Sequence, residues 1–290
     1  MKMKVLLVSL LAFSITGLNA QVLNKAEIVN ASIDGASGDA VKVLVNRAED
    51  KDLMDAWRSL MKAYDAEDLK TRRKKGSATN ILIPTISTNK INVYVEVEEE
   101  SKTALSLSSI FVEGELNLSA SEAAKNMMTV LAREVSLEAT EDHLKEQEKA
   151  LSALKSDLKD LKRDKEKAER SIEKCEKTIK ESEKQLKKND KEQVEVQGNV
   201  EKLSEDLAKT TDNEEMKKQE KKLFSAQKDL KNLRRSNEKS TKNIEKCKAE
   251  IKENQYELKQ NEKDTKKTEK QIKEQEKMVE AAKEELSFYR

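Results

Sequence analysis

Two ladders of apolar residues constrain this chain more than anything else in it. From Leu151 the apolar positions step three or four residues at a time through Leu154, Leu158, Leu161, Ala168, Ile172, Cys175, Ile179, Leu186, Val196, Val200, Leu203 and Leu207. That spacing lays one apolar stripe along a helix, with Leu151 at heptad position a and Leu154 at d. A second ladder takes in Leu223, Ala226, Leu230, Leu233, Ile244, Cys247, Ile251, Leu258, Ile272, Val279, Ala282 and Leu286. Each lasts about eight heptads, and three or four suffice to identify a coiled coil. Composition agrees: 39% of residues are charged and 3% aromatic, with a single proline, whereas an average globular domain is about 25% charged. Lysines and glutamates are interspersed, and the formal charge is only +1. No global field therefore attracts nucleic acid or an anionic membrane.

The ladders are out of phase. Leu207 and Met216 are nine residues apart, where seven would keep the heptad, and "AKTTDNEE" lies between them. Thr211 with Glu214, and Asp212 with Glu215, have the spacing of a helix-starting capping box. A register slip beside a start signal marks a turn, so the sequence predicts an antiparallel helical hairpin turning near residues 211–213. Each arm is then about 70 residues, on the order of 105 Å at 1.5 Å per residue. Leu286 returns opposite Leu137 to Thr140, which brings Phe288 and Tyr289 toward the base. Gly198-Asn199 is a poorer turn, because the ladder runs unbroken through Val200 and Leu203. A parallel dimer of unfolded-back helices is the main structural rival.

The arms echo each other. "IEKCEKTIKESEKQL" from Ile172 recurs as "IEKCKAEIKENQYEL" from Ile244, an offset of 72 residues that holds from about Gln147 to Leu207, as duplication of one arm would give. The only two cysteines occupy the same place in both copies. Mirror pairing about residue 211 sets Cys175 across from Cys247, a candidate disulfide. A register that places a opposite d pairs Cys175 with Ile251 and Asn189 with Asn237, leaving the cysteine Cα atoms about 10 Å apart, beyond the ~7 Å reach of a disulfide. Two small apolar core residues are the plain alternative. With no further cysteine or histidine nearby, the pair does not read as a metal site. Polar residues interrupt the seam: Lys165, Ser182, Asn189 and Gln193 in the first arm, then Asn237, Ser240, Asn254, Asn261, Thr265 and Thr268 in the second. Each such layer forgoes burial worth about 1.5–3 kcal/mol per large apolar side chain.

The N-terminal half differs. "MKMK", the apolar "VLLVSLLAFSITGL" and "LNA" form the three-part layout of a signal peptide spanning residues 1–20, with cleavage after Ala20. The apolar run is short for a span of about 20 residues, so the mature chain is expected to be exported, periplasmic or secreted, with no membrane span. Residues 21–135 read as a small α+β head, and residues 136–290 as the hairpin. In the head, "AEIVNASI" and "VKVLV" read as strands around a loop "DGASGD". Asp50 opens a helix with Leu53, Trp57, Leu60 and Tyr64 on one face. About four strands follow, one of them "NILIPTIS" with Pro84 at an edge or strand start. Ile91, Val93, Val95 and Val97 alternate with Asn92, Tyr94, Glu96 and Glu98, as in an antiparallel sheet covered on one side. Ser119 caps a second helix, with Glu122 as its capping-box partner and Ala123, Met127 and Leu131 on one face.

Lys70, Arg72, Arg73, Lys74 and Lys75 form a candidate anion-binding patch, weighed against a solvated hairpin edge where cations discourage sheet aggregation. Glu96 to Glu100 lack the regular spacing of a cation-binding loop. His143, the only histidine, sits among charged residues on a helix. Neither cysteine has a base beside it, and no phosphate loop or nucleophile elbow appears. The sequence therefore predicts a non-enzymatic chain without cofactor or metal. It would act as a structural or interaction protein of the envelope, with the hairpin as spacer or docking arm, working through protein partners or self-association. The alternative is a periplasmic holdase: Skp-type chaperones resemble this layout in having a signal peptide, a small β-containing body and helical arms. An efflux-adaptor hairpin is disfavoured, since no adaptor domain resumes after the second arm. The order of tryptophan-bearing helix, "NILIPTISTNKINVYVEVEEE" and charged coil resembles a group of exported bacterial proteins with a small α+β domain and a C-terminal coil. That resemblance implies a layout and no activity.

Overall fold

The computed structural model describes residues 24–290, and the expected signal peptide lies outside them. The chain runs through β1 (Glu27–Ile33), β2 (Ala36–Asn46), α1 (Asp50–Ala63), β3 (Asp68–Thr71), β4 (Lys75–Ile81), β5 (Ile91–Ser101), β6 (Ala104–Glu113), β7 (Leu116–Asn117), α2 (Glu122–Lys209) and α3 (Asn213–Ser287). It is an α+β head followed by two long helices that pack against each other as an antiparallel hairpin, as the patterning predicts. By contact the chain divides into two compact units. One comprises the described residues up to Ala150 together with Gln275–Arg290, and the other is Leu151–Glu274. The head boundary expected at residue 135 falls inside α2.

In the first unit the strands form one seven-stranded sheet ordered β1-β2-β6-β5-β4-β3, with β7 paired to β6. Every pairing is antiparallel. The β1–β2 connection is tighter than the expected loop. Asp34 (φ 47°) and Gly35 (φ 89°) take left-handed conformations, which is the two-residue turn whose twist matches paired strands, and Gly38 and Asp39 already belong to β2. The alternation on β5 holds, with Ile91, Val93, Val95 and Val97 buried on one face. "NILIPTIS" is not a strand beyond Ile81. Asn80 takes φ 54° at a register irregularity between Ala78 and Ile81. Pro84 lies in a turn in which the amides of Ile86 and Ser87 donate to the Ile83 carbonyl at 2.9 and 3.0 Å. Proline has no amide for the ladder, so the strand ends before it.

One face of the sheet carries the core. Leu53, Met54, Trp57 and Met61 of α1, with Ala124, Met128, Leu131, Ala132 and Val135 of α2, pack against Val43, Val45, Val93, Val95 and Phe111. The expected face of α1 is therefore shifted: Leu60 and Tyr64 are only partly buried beside it. On α2, Ala124 and Met128 are the buried residues, with Met127 only partly buried beside them, and the helix starts later than expected. Ser119 is engaged elsewhere, its Oγ accepting the Phe111 amide of β6 at 3.0 Å. Ser121 caps instead, its Oγ accepting the Ala124 amide at 3.2 Å. Gly76 on β4 faces Trp57, and a Cβ built there would lie 2.6 Å from Cζ3 of the indole. Only glycine lets this strand and the tryptophan approach so closely.

The last turn of α3 completes the same unit. Tyr289 is 3% exposed. Its hydroxyl accepts a hydrogen bond from Asn46 Nδ2 at 3.0 Å, and its carbonyl accepts two from the Arg133 guanidinium at 3.2 and 2.8 Å. Arg47 Nε donates to Glu285 at 2.7 Å. Burial raises the Tyr289 phenol above its ordinary pKa, although the Asn46 and Ser136 hydrogen bonds oppose the shift. Phe288, also expected to dock, is half exposed.

The second unit contains the turn. α2 continues through Gly198, and α3 begins at Asn213. Asp212 caps it, with Oδ1 accepting the amides of Glu214 and Glu215 at 2.8 and 3.0 Å. Those bonds hold the carboxyl below its usual range. Thr210 Oγ1 reaches Gln219 at 2.9 Å and ties the ends of the two helices. Along the seam Ala168, Cys175, Ser182 and Asn189 are buried at seven-residue intervals, as are Ser240 and Cys247 on the other arm. Several polar layers are bridged across the helices. Asn189 donates to Ser236 at 2.8 Å, Asn237 to Asp190 at 2.9 Å, and Asn261 to the Leu161 carbonyl at 2.8 Å. Lys165 is exposed, its long side chain leaving the core position the heptad assigned it.

Candidate functional site

A cleft of about 1150 Å³ in the head lies between the start of α1, the β3–β4 and β5–β6 turns, and the Ala139–Glu146 stretch of α2. Cations and carboxylates alternate around it. Asp50 stands 3.7 Å from Arg73 and 3.8 Å from Lys74. Arg58 bonds Thr71 and meets Asp55 at 3.4 Å. His143 also lines it, half-buried. Burial lowers its pKa, reinforced by Arg47 and opposed by Glu285 and Glu146, so the imidazole is neutral at pH 7. Among the described residues no group of three His, Cys, Asp or Glu side chains is arranged to hold a metal ion.

Of the five candidate anion-binding cations, Lys70 is on β3, Arg72, Arg73 and Lys74 form the turn, and Lys75 begins β4. Lys70 pairs with Asp68 at 2.8 Å and Lys75 with Glu96 at 3.0 Å. Asp50 serves Arg73 and Lys74. Only Arg72 of the five has no carboxylate partner among the described residues, and it lines the cleft. These pairs neutralise much of the patch's field. The acidic run is similarly engaged: Lys42 lies 2.6 Å from Glu100 and 3.9 Å from Glu98.

The structure brings Cys175 and Cys247 together. Both are buried free thiols, set opposite each other by the register of the cross-helix bonds from Asn261 to the Leu161 carbonyl and from Ser171 to Glu250. The facing arrangement is that of mirror pairing, while Asn189 bonds Ser236 and not Asn237. Burial, the neighbouring Cys247 thiol and the Glu250 carboxylate push the Cys175 thiol up to about 11. Glu250 accepts a hydrogen bond from Ser171 Oγ at 2.8 Å, and Asn254 Nδ2 donates to Ser171 Oγ at 3.2 Å. Bonds from Ser171 and Cys175 hold the Glu250 carboxyl below its ordinary range. Sequence reasoning missed Ser171 and Glu250. Their signal was helical spacing, since Ser171 lies one turn before Cys175 and Glu250 one turn after Cys247.

On the outer surface of the arms most positions are charged. Val194, Phe224 and Tyr256 are large apolar exceptions, each more than 60% exposed. Among the described residues no helix is long and apolar enough to cross a membrane. Compared with models of known protein families and with curated proteins, the chain matches none.

Proposed function

We propose that this chain is a non-enzymatic, exported interaction protein of the bacterial envelope whose α2–α3 hairpin is a docking arm for a protein partner. The observation that carries this reading is the exposure of Phe224 and Tyr256, with Val194, on arms otherwise covered by lysine and glutamate. Aromatic side chains are the usual anchors of protein interfaces, where a few residues dominate the binding energy. Interspersed charges around them keep the arms soluble and add little long-range field. Export rests on the signal-peptide layout of residues 1–20.

The test is a photoreactive amino acid placed at Phe224 or Tyr256 in living cells. A discrete set of adducts is expected at these positions and not at Lys217, which is exposed on the same helix. Adducts to a second copy of the chain would identify self-association as the docking event. No adducts, or the same adducts from Lys217, would overturn the docking-arm reading. Suppression of aggregation of an unfolded outer-membrane protein at near-stoichiometric ratios, without discrete adducts, would favour the holdase.

A further inference from the structure

We propose that Cys175 and Cys247 are an oxidisable pair that forms an intrachain disulfide, stapling the hairpin at its polar middle. Both thiols are buried in the seam, and the bonds from Asn261 to the Leu161 carbonyl and from Ser171 to Glu250 set residue 175 opposite residue 247, so closing the bond requires a local rotation and no change of register. A disulfide needs facing Cβ atoms and a specific dihedral, and two buried side chains at facing positions of one seam supply the approach. The loop it would close runs from residue 175 to residue 247 and includes the whole turn. Cross-links closing long loops constrain the unfolded chain most. The staple also falls where the seam needs it. Ser171, Glu250 and Asn254 replace apolar packing on one side of the cysteines, and Ser182 and Asn189 do so further along.

The chemistry is thiol–disulfide exchange with a small dialkyl disulfide such as oxidised glutathione. The Cys175 thiol loses its proton to solvent, and the thiolate attacks one sulfur of the oxidant. One alkyl thiolate leaves and takes a proton, giving a mixed disulfide at Cys175. The Cys247 thiolate then attacks the Cys175 sulfur and expels the second alkyl thiol. Two protein thiols are oxidised and one small disulfide is reduced to two thiols. The first step is slow near neutral pH, because a buried thiol beside a carboxylate is rarely ionised.

The proposal is tested by incubating the full mature chain with oxidised glutathione at mildly alkaline pH, denaturing it in acid, alkylating, and measuring intact mass. The expected product is a monomer without alkylatable thiol or glutathione adduct, two hydrogens lighter than the reduced chain, with a higher unfolding midpoint. Cys247→Ser is expected to stop at the mixed disulfide on Cys175. Glu250→Gln removes the charge beside the attacking thiol and is expected to speed oxidation several-fold. Alkylation of both thiols after prolonged incubation, a persistent adduct in the unsubstituted chain, or disulfide-linked dimers would each overturn the proposal. An unchanged or slower rate in Glu250→Gln would overturn the placement of Cys175 beside that carboxylate. None of these outcomes depends on whether Phe224 or Tyr256 finds a partner.

Discussion

Substituting Gly76 with alanine adds one methyl group to a strand, normally a mild change. Here the added Cβ would sit 2.6 Å from Cζ3 and 3.0 Å from Cη2 of Trp57, and 3.1 Å from Cε of Met54. Ordinary carbon contacts are about 3.5–4.0 Å, so the indole must withdraw by roughly 1 Å. Trp57 is fully buried between α1 and the sheet, and only the end of Met54 can yield cheaply. Overpacking of a tight core costs about 1–3 kcal/mol. Replacing glycine also restricts the unfolded chain, which returns about 0.4–1 kcal/mol. The net expectation is a loss of about 1–2 kcal/mol. Trp57 is the chain's only tryptophan, so its emission during urea unfolding reports this site directly. With a slope of about 1–3 kcal/mol per molar urea, the midpoint should fall by roughly 0.5–1 M. Trp57→Phe removes the outer indole carbons, so Gly76→Ala in that background should cost much less, measured by pulse proteolysis in urea. A midpoint for Gly76→Ala equal to or above the parent's, or strict additivity of the two changes, would refute the steric argument.

Tyr289→Ala empties a buried aromatic site and should destabilise the head by about 3 kcal/mol in thermal unfolding. Tyr289→Phe keeps the ring but leaves Asn46 Nδ2 without its partner, costing about 1 kcal/mol. Asp212→Ala should accelerate amide exchange at Glu214 and Glu215 and leave the head unchanged. Its carboxyl titrates lower folded than unfolded, so this cap is intact above the ordinary value near 3.8 and is lost as pH falls through the folded value. His143 is likewise depressed. Its contribution is full above the ordinary value of 6.5 and declines as pH falls toward the lower folded value, because the unfolded imidazole takes up the proton first. His143→Gln should therefore flatten the stability profile just below pH 6.5, followed by urea midpoints across that range.

The hairpin was legible because its signals are local and periodic. A heptad ladder and a capping aspartate at residue 212 need no distant partner to be read. Alternation located β5 for the same reason. The misreadings share the opposite cause. Ser119 has every local credential of a helix cap, yet a strand amide at Phe111 claims its hydroxyl, and the true cap is two residues on. "NILIPTIS" reads as a strand because its β-branched residues fit one, but the ladder with β5 goes no further than Ile81, just past an irregularity at Asn80. The basic run at residues 70–75 reads from sequence as either an anion patch or a solvated hairpin edge, and only the fold reveals that Asp50 and Glu96 stand beside it. The cysteine pairing depended on register, which is a property of two helices and cannot be read from either alone.

The bond from Asn46 to Tyr289 joins residues 243 positions apart. A ribosome making this chain therefore finishes every strand of the sheet long before it supplies the aromatic ring that Asn46 awaits. Until both long helices have been made and have turned back, Arg133 has no carbonyl and Arg47 no carboxylate from the last turn of α3. Completion of the head therefore waits on the synthesis of both helices, and a nascent chain interrupted within α3 should expose a surface that a protease or chaperone can distinguish from the finished fold.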